Sequence, residues 1–280
     1  ATTDIYTLSL HDALPICVYC PRRYLDDLKG YMELGLFKKI IDEASNFPET
    51  IIVLHRRGES LLNPNINEIL NYISGKFKEV QMATNGTLIT SEKFEAIVNG
   101  LNFISFSLDT PEEFDKTRLP AKYTIVEKNI LDFLKYNKGR VRTQVSMVKT
   151  ENTPAKNPEI FKKVWDGKVD RIRIYEEHSS NGKFGSLSKP RQERKPCVMP
   201  FYEILIYDDG MVGRCNHDWN GDPMGDVNKQ SIKEIWNSQQ YVSLRNQHNN
   251  LKISDSVCQY CDSWYPEIGV QGTGDVIEKN

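Results

Sequence analysis

From residue 34 to residue 176 the sequence alternates apolar runs with amphipathic stretches, and this alternation restricts the fold more than any other feature. "LGLFKKIIDEA" puts Leu36, Phe37, Ile40, Ile41 and Ala44 at helical spacing, and "ETIIVLH" follows as a short buried strand. "NPNINEILNYIS" reads as a helix with Pro64 near its start, "KEVQMATNG" as a strand running into a turn, and "TSEKFEAIVNG" as a helix capped by Thr90 or Ser91. "NFISFSLD" is a strand. "YTIVEKNILDFLKYN" is the clearest helix, with Ile125, Ile130, Phe133 and Leu134 on one face. "GRVRTQVSMVKT", "NPEIFKKVWDG" and "VDRIRIYE" continue as strand, helix and strand. Such repetition calls for parallel strands joined by crossover helices, an α/β class. Strands so spaced close into a full or partial barrel, or lie in a doubly wound open sheet. Either way a site forms at their carboxyl ends, where "RRGES", "ATNG", "SLDT" and "YEEHSS" fall.

The pattern changes after "HSSNGKFGSLSKPRQERKP", a polar stretch that reads as a linker or a substrate-facing loop. Beyond it come a hairpin-like "FYEILIYDDGMVGRC", a loop, one helix over "SIKEIWNSQQYVSLRNQ" and a closing "CQYC". The expected division is therefore a barrel over 17–180, a linker over 181–196 and a small α+β unit over 197–280. At 280 residues the chain can bury such a pair of cores. A net charge of −2 hides no strongly basic tract, which disfavours nucleic acid, and no apolar run is long enough to span a bilayer.

The six cysteines are Cys17, Cys20, Cys197, Cys215, Cys258 and Cys261, and none lies in the long middle of the chain. Disulfides suit small secreted domains. In a large α/β chain, metal or iron–sulfur ligation in a reducing, cytoplasmic compartment is the better expectation. Spacing alone serves a zinc ion on four thiolates as well as an iron–sulfur cluster. On that reading the chain would be a non-catalytic zinc-binding scaffold.

The order of motifs favours chemistry instead. "CVYC" supplies two cysteines and the aromatic Tyr19; "RRGES" carries Gly58 and Glu59; "TNGTLIT" carries Thr84, Asn85 and Gly86; "SFSLDT" carries Ser107 and Asp109; "EEFDKTRLP" carries Arg118. Singly, each has a bland reading, since Asn-Gly is a turn and Arg118 a surface charge. Together, at the ends of successive strands, they resemble the radical S-adenosylmethionine (radical SAM) superfamily. Cys197, twelve residues, Gly210, four residues, Cys215 and a late Cys258-x-x-Cys261 resemble the SPASM or Twitch auxiliary-cluster domain of that family.

The resemblance implies a TIM-like partial (βα)6 barrel followed by an iron–sulfur domain. It implies a [4Fe–4S] cluster on Cys17 and Cys20, SAM bound by Tyr19, Gly58, Glu59, Thr84, Asn85, Ser107, Asp109 and Arg118, and one auxiliary [4Fe–4S] cluster on Cys197, Cys215, Cys258 and Cys261. Arg57 departs from the family's usual glycine. The resemblance further implies an electron donor of flavodoxin or ferredoxin type, and hydrogen abstraction from a small-molecule, sugar-like or peptide substrate. If the two units dock as in the family, His217 and Asp218 face the barrel mouth, where one takes a proton as the substrate is oxidised. Glu176, Glu177 and His178 end the last strand and could touch SAM ribose or substrate. His55 reads as packing, and Trp219, Trp236 and Trp264 as core or as cover for the cluster.

One cysteine of the family's three-thiol motif is missing. Its place is taken by Ala13, inside "ATTDIYTLSLHDALPI", which has no basic region or cleavage site of a signal peptide. Residues 1–16 resemble the one-frame translation of a sequencing-library adapter, departing only at Asp4. They are therefore excluded from the fold expectation, and the barrel is expected to lack its first strand.

Overall fold

A computed structural model describes residues 5–8, 20, 30–56, 58–149, 157–176, 194–219, 221–261, 264 and 276–278. Cys17, Tyr19, Arg57, Glu177 and His178 lie outside them.

Six strands run parallel in chain order: β1 (Ile5–Leu8), β2 (Ile51–Val53), β3 (Glu79–Thr84), β4 (Phe103–Ser107), β5 (Arg142–Lys149) and β6 (Arg171–Glu176). The crossovers are α1 (Leu34–Ala44), α2 (Ile66–Ile73), α3 (Ser91–Gly100), α4 (Pro111–Thr117) with α5 (Tyr123–Asn137), and α6 (Pro158–Trp165). The crossover helices other than α4 bury apolar stripes in the core, as the spacing predicts. In α1 the stripe is Phe37, Ile40, Ile41 and Ala44. In α5 it is Tyr123, Val126, Ile130 and Phe133, and Ile125, expected on that face, is 58% exposed. The stripe of α5 is set by its contacts with Phe94 of α3 and Phe106 of β4, which Phe133 meets edge-on.

Two expectations need correction. The barrel does have a strand in first place. Ile5–Leu8, within the excluded segment, pairs with β2 on one side and with β7 (Glu203–Ile206) on the other. A slot between two strands asks only for extended backbone, and Ile-Tyr-Thr-Leu has high β propensity. Through β1, the C-terminal hairpin of β7 and β8 (Met211–Gly213) joins the same sheet, which ends at β9 (Gly225–Asp226). At the other edge β10 (Val276–Glu278) pairs antiparallel with β6. The expected single C-terminal helix is two, α7 (Ile232–Trp236) and α8 (Gln239–Asn249). Ser231 and Glu234 form a capping box on the first, and Ser238 caps the second by accepting the Tyr241 amide. A second cap residue inside an otherwise helical run is what divides it.

The hairpin turn follows the sequence reading. Gly210 has φ +90°, and a Cβ there would lie 2.3 Å from Asn228 Nδ2, so both backbone and space require glycine.

Candidate functional site

The strand ends form a hydrogen-bonded rim. Glu59, 2% exposed, accepts from the Thr84 hydroxyl at 2.8 Å, the Asn85 amide at 2.7 Å and the Leu61 amide at 3.2 Å. Its carboxyl lies above the ordinary range because burial outweighs those three bonds. The side chain thus ties the loop after β2 to the end of β3. Gly58 lies in that loop and is half-buried. Asn85 accepts from the Thr87 amide and hydroxyl, and Gly86, at φ +77°, packs within reach of Val126 and Ile130.

At the end of β4, Asp109 is wholly buried. It accepts from Arg118 Nε at 2.9 Å and from the Thr117 hydroxyl at 2.6 Å, while Arg118 Nη2 donates to the Leu108 carbonyl at 3.0 Å. The arginine predicted at this place is therefore pinned beside the strand end it was expected to serve. Ser107 stands opposite Ser146 in the sheet. His55 accepts the Ala83 amide at Nδ1, 2.9 Å away. Burial, then Arg56, holds its pKa down at about 4. Of Glu176 only the backbone, within β6, is described.

The second constellation is in the C-terminal unit. Cys197, Cys215, Cys258 and Cys261 line one small cavity, together with His217, His248, Arg194 and Trp264. Burial pushes the Cys215 thiol well up, and Glu203 and the other three cysteines add to this; Cys258 is pushed up chiefly by burial and by Asp255. Anything that takes these sulfurs as thiolates must therefore compensate strongly for their charge. Among the described residues, no three His, Cys, Asp or Glu side chains converge tightly enough for a single metal ion.

The cysteine loops are held by polar ties that the sequence reading missed. Arg214, beside Cys215, donates to Asp218 Oδ2 from Nη1 at 3.0 Å and to Asp255 Oδ2 from Nε at 2.7 Å. Burial opposes the Arg214 charge, and the two carboxylates outweigh it. Asp255 in turn accepts the amides of Val257 and Cys258, each at 3.0 Å, so one arginine joins the Cys215 loop to the Cys258 turn. The sequence did carry a signal: Asp three residues before Cys258, opening a short turn, is a capping pattern. Cys197 donates its amide to His248 Nδ1 at 3.2 Å, and the His217 amide points at Cys215 Sγ from 3.4 Å.

The predicted proton carriers differ in setting. His217 is 6% exposed and lines the cysteine cavity. Asp218 has no exposed surface; besides Arg214 it accepts the Gly221 amide at 2.9 Å. Trp219 is buried under the Arg56 guanidinium, 4.4 Å from the ring centroid. Arg56 also donates to the Asp218 carbonyl at 3.0 Å. The loop after β2 and the loop after Cys215 are thereby in contact. Of the tryptophans, Trp264 covers the cavity and Trp236 packs on Tyr241. Of the N-terminal thiols, Cys20 is described and is half-buried.

Four thiols on one cavity, a backbone amide and two imidazoles close to them, and a rim at the carboxyl ends of parallel strands fit a chain that handles iron–sulfur clusters. Known proteins agree. A tungsten-containing aldehyde ferredoxin oxidoreductase cofactor-modifying protein of Pyrococcus furiosus is 24% identical over 284 residues, covering 82% of this chain and 79% of that one. The antilisterial bacteriocin subtilosin biosynthesis protein AlbA of Bacillus subtilis is 34% identical over 82 residues, 29% of this chain and 18% of that one. Among solved structures, BtrN in complex with AdoMet and 2-DOIA superposes with TM-score 0.62 at 17% identity, covering 95% of this chain and 98% of that chain. Streptococcus suis SuiB bound to S-adenosylmethionine gives TM-score 0.67 at 12% identity, covering 94% and 73%. A model described as an iron–sulfur cluster-binding domain, SPASM, matches residues 197–262, and the radical SAM superfamily model matches residues 15–162, more than half the chain. The chain belongs to the radical SAM superfamily and carries a SPASM-type iron–sulfur domain behind its barrel.

Proposed function

We propose that this chain is a radical SAM oxidoreductase that oxidises a small, hydroxylated substrate at the barrel mouth, with one auxiliary [4Fe–4S] cluster on Cys197, Cys215, Cys258 and Cys261. The family's cofactors are SAM and [4Fe–4S] clusters. The observation that carries the reading is the meeting of four thiols on one cavity, in a unit that shares its sheet with the barrel. The four thiols all lie within the stretch that matches the iron–sulfur cluster-binding domain, which supports a four-iron cluster over one zinc ion.

When bound, the SAM and cluster pair supplies a 5′-deoxyadenosyl radical that removes a hydrogen atom from a substrate carbon. The chain's own residues bind, orient and shield. Gly58 and the backbone of its loop would take the methionyl ammonium, while Glu59 holds that loop against Thr84 and Asn85. Asp109 orients Arg118 beside β4, and Ser107 offers a hydroxyl at the same rim. Cys17, Cys20 and Tyr19 would serve the SAM-binding cluster. The ion pairs of Asp218 support a holding role for it, which leaves His217 as the better candidate for carrying a proton near the cysteine cavity.

The small-molecule reading is supported by the match to nearly the whole length of BtrN, which was solved with 2-DOIA. A peptide substrate is the second reading. It is supported by the identity to AlbA and by the fold likeness to SuiB, also solved with precursor peptide SuiA. An electron donor of flavodoxin or ferredoxin type completes the proposal.

Anaerobic reconstitution tests it. The chain should take up about four irons at the C-terminal site, and Cys258→Ala with Cys261→Ala should abolish that uptake. Zinc in place of iron would overturn the cluster. With Ala13→Cys restoring a third N-terminal thiol, iron should approach about eight per chain and 5′-deoxyadenosine should form. Deuterium passing into 5′-deoxyadenosine from a labelled aminocyclitol or from a labelled peptide then decides between the two substrates.

A further inference from the structure

His248 is 1% exposed and lines the four-cysteine cavity, yet it is not a cysteine-type ligand and the function above gives it no part. Its Nδ1 accepts the Cys197 amide at 3.2 Å, so the single proton of the neutral ring sits on Nε2. That Nε2 is buried and meets no acceptor among the described residues. Arg194 repeats the pattern. Its Nη1 donates to the Cys261 carbonyl at 2.8 Å, and its buried Nε meets no acceptor among the described residues. The described side chains that line this cavity offer thiols, donors and apolar surface, and no carboxylate or hydroxyl. Buried N–H groups without an acceptor are costly in a folded protein, and the sulfurs are the acceptor atoms the cavity can bring to them.

We propose that His248 Nε2–H, with Arg194 Nε–H beside it, donates a hydrogen bond to the sulfur of the auxiliary cluster and so sets that cluster's reduction potential. His248 is then a positioning residue with two functions on one ring. One nitrogen fixes the backbone of Cys197 and the other stabilises the extra negative charge of the reduced cluster. Donors to cluster sulfur favour the reduced state, so their removal should make the cluster harder to reduce. The proposal rests on the iron–sulfur reading of the four-cysteine site.

The test uses the full chain with Cys17→Ala and Cys20→Ala, so that the C-terminal site alone is loaded. Redox titration followed by electron paramagnetic resonance should give a more negative midpoint for His248→Phe. His248→Gln, which keeps a donor at the end of the side chain, should restore it. With histidine nitrogen labelled as 15N, the reduced cluster should show a weak nitrogen coupling that survives His217→Asn and vanishes in His248→Phe. A midpoint unchanged in His248→Phe with about four irons retained would overturn the donor. If His248→Phe loses its iron, the coupling in the His217→Asn chain decides, and its absence also overturns the donor. A site that takes zinc and no iron fails at the cluster reading, a result distinct from either of these.

Discussion

Asp218 and Arg214 set the tone at the residue scale, because what surrounds a side chain decides its part more than its type does. A carboxylate next to His217 and close to the cysteine loop looks like a base in the sequence. In the structure it has no exposed surface and is joined to Arg214, which also holds Asp255. Asp218→Asn leaves the buried guanidinium with one carboxylate instead of two and turns an amide N–H2 toward it. Breaking one side of such a pair costs about 3 kcal/mol. The expected outcome is a clear drop in unfolding free energy and in iron retained by the C-terminal site, with turnover per loaded cluster nearly unchanged. A proton carrier would give the reverse: full stability, full iron and lost turnover. Chemical denaturation with iron analysis on the same samples separates the two. The sequence showed which thiols belong together, since C-x-x-C spacing and Gly210 are local signals. It could not show Arg214 bridging Asp218 and Asp255, because the bridge spans 41 residues and depends on how two loops meet.

At the scale of elements, His55 shows how a strand end acquires a pH dependence. The residue follows β2, and its Nδ1 accepts the Ala83 amide of β3, a tie that only the neutral ring can make. Its pKa is held at about 4, by burial first and then by Arg56, against an unfolded value of 6.5. Because the folded value is the lower one, the folded state binds fewer protons between these limits. The contribution is therefore complete above pH 6.5 and is lost as the pH falls from there through about 4. Discounted for partial exposure, the loss is of order 2 kcal/mol. The unfolding temperature should fall across this window, and His55→Asn, which keeps an acceptor but cannot titrate, should flatten the fall. An equal slope in both chains would show that other groups carry it. Elements like β2 and α1 were legible because apolar period and length are properties of a single stretch. The stripe of α5 was read one position out, at Ile125 rather than Val126. Both are β-branched and apolar, and only the partner across α3 and β4 chooses between them. The division between α7 and α8 rests on Ser238, a cap that lies in plain view but competes with good helical spacing on either side.

For the molecule as a whole, the question is how a barrel rim and a cysteine-bearing unit act together. They share the sheet through β1 and β7, and no apolar pattern in either segment announced that pairing. They also share Arg56. Its position between β2 and Gly58 puts it on the loop proposed to hold SAM. Its guanidinium stacks on Trp219 and donates to the Asp218 carbonyl, both just beyond Cys215. A further tie runs from Lys39 of α1 to the Val227 carbonyl at 2.6 Å. Arg56 is thus placed to keep the two loops at a fixed separation, and the cluster proposed to accept electrons from a substrate radical would need such a constant distance. Arg56→Gln removes the stacked cation and shortens the donor. Together these are worth about 1.5 kcal/mol, and local opening should become about tenfold more frequent. Hydrogen exchange should therefore quicken at the amides of residues 58–61 and of residues 215–219 together, while α3 and α5 exchange as before. In the loaded enzyme the same change should raise the 5′-deoxyadenosine formed per substrate oxidised, since radical formation outlasts the coupling to oxidation. Faster exchange confined to one of the two loops would mean that Arg56 packs against its neighbours without joining the units. The shared sheet alone would then have to hold rim and cluster in register.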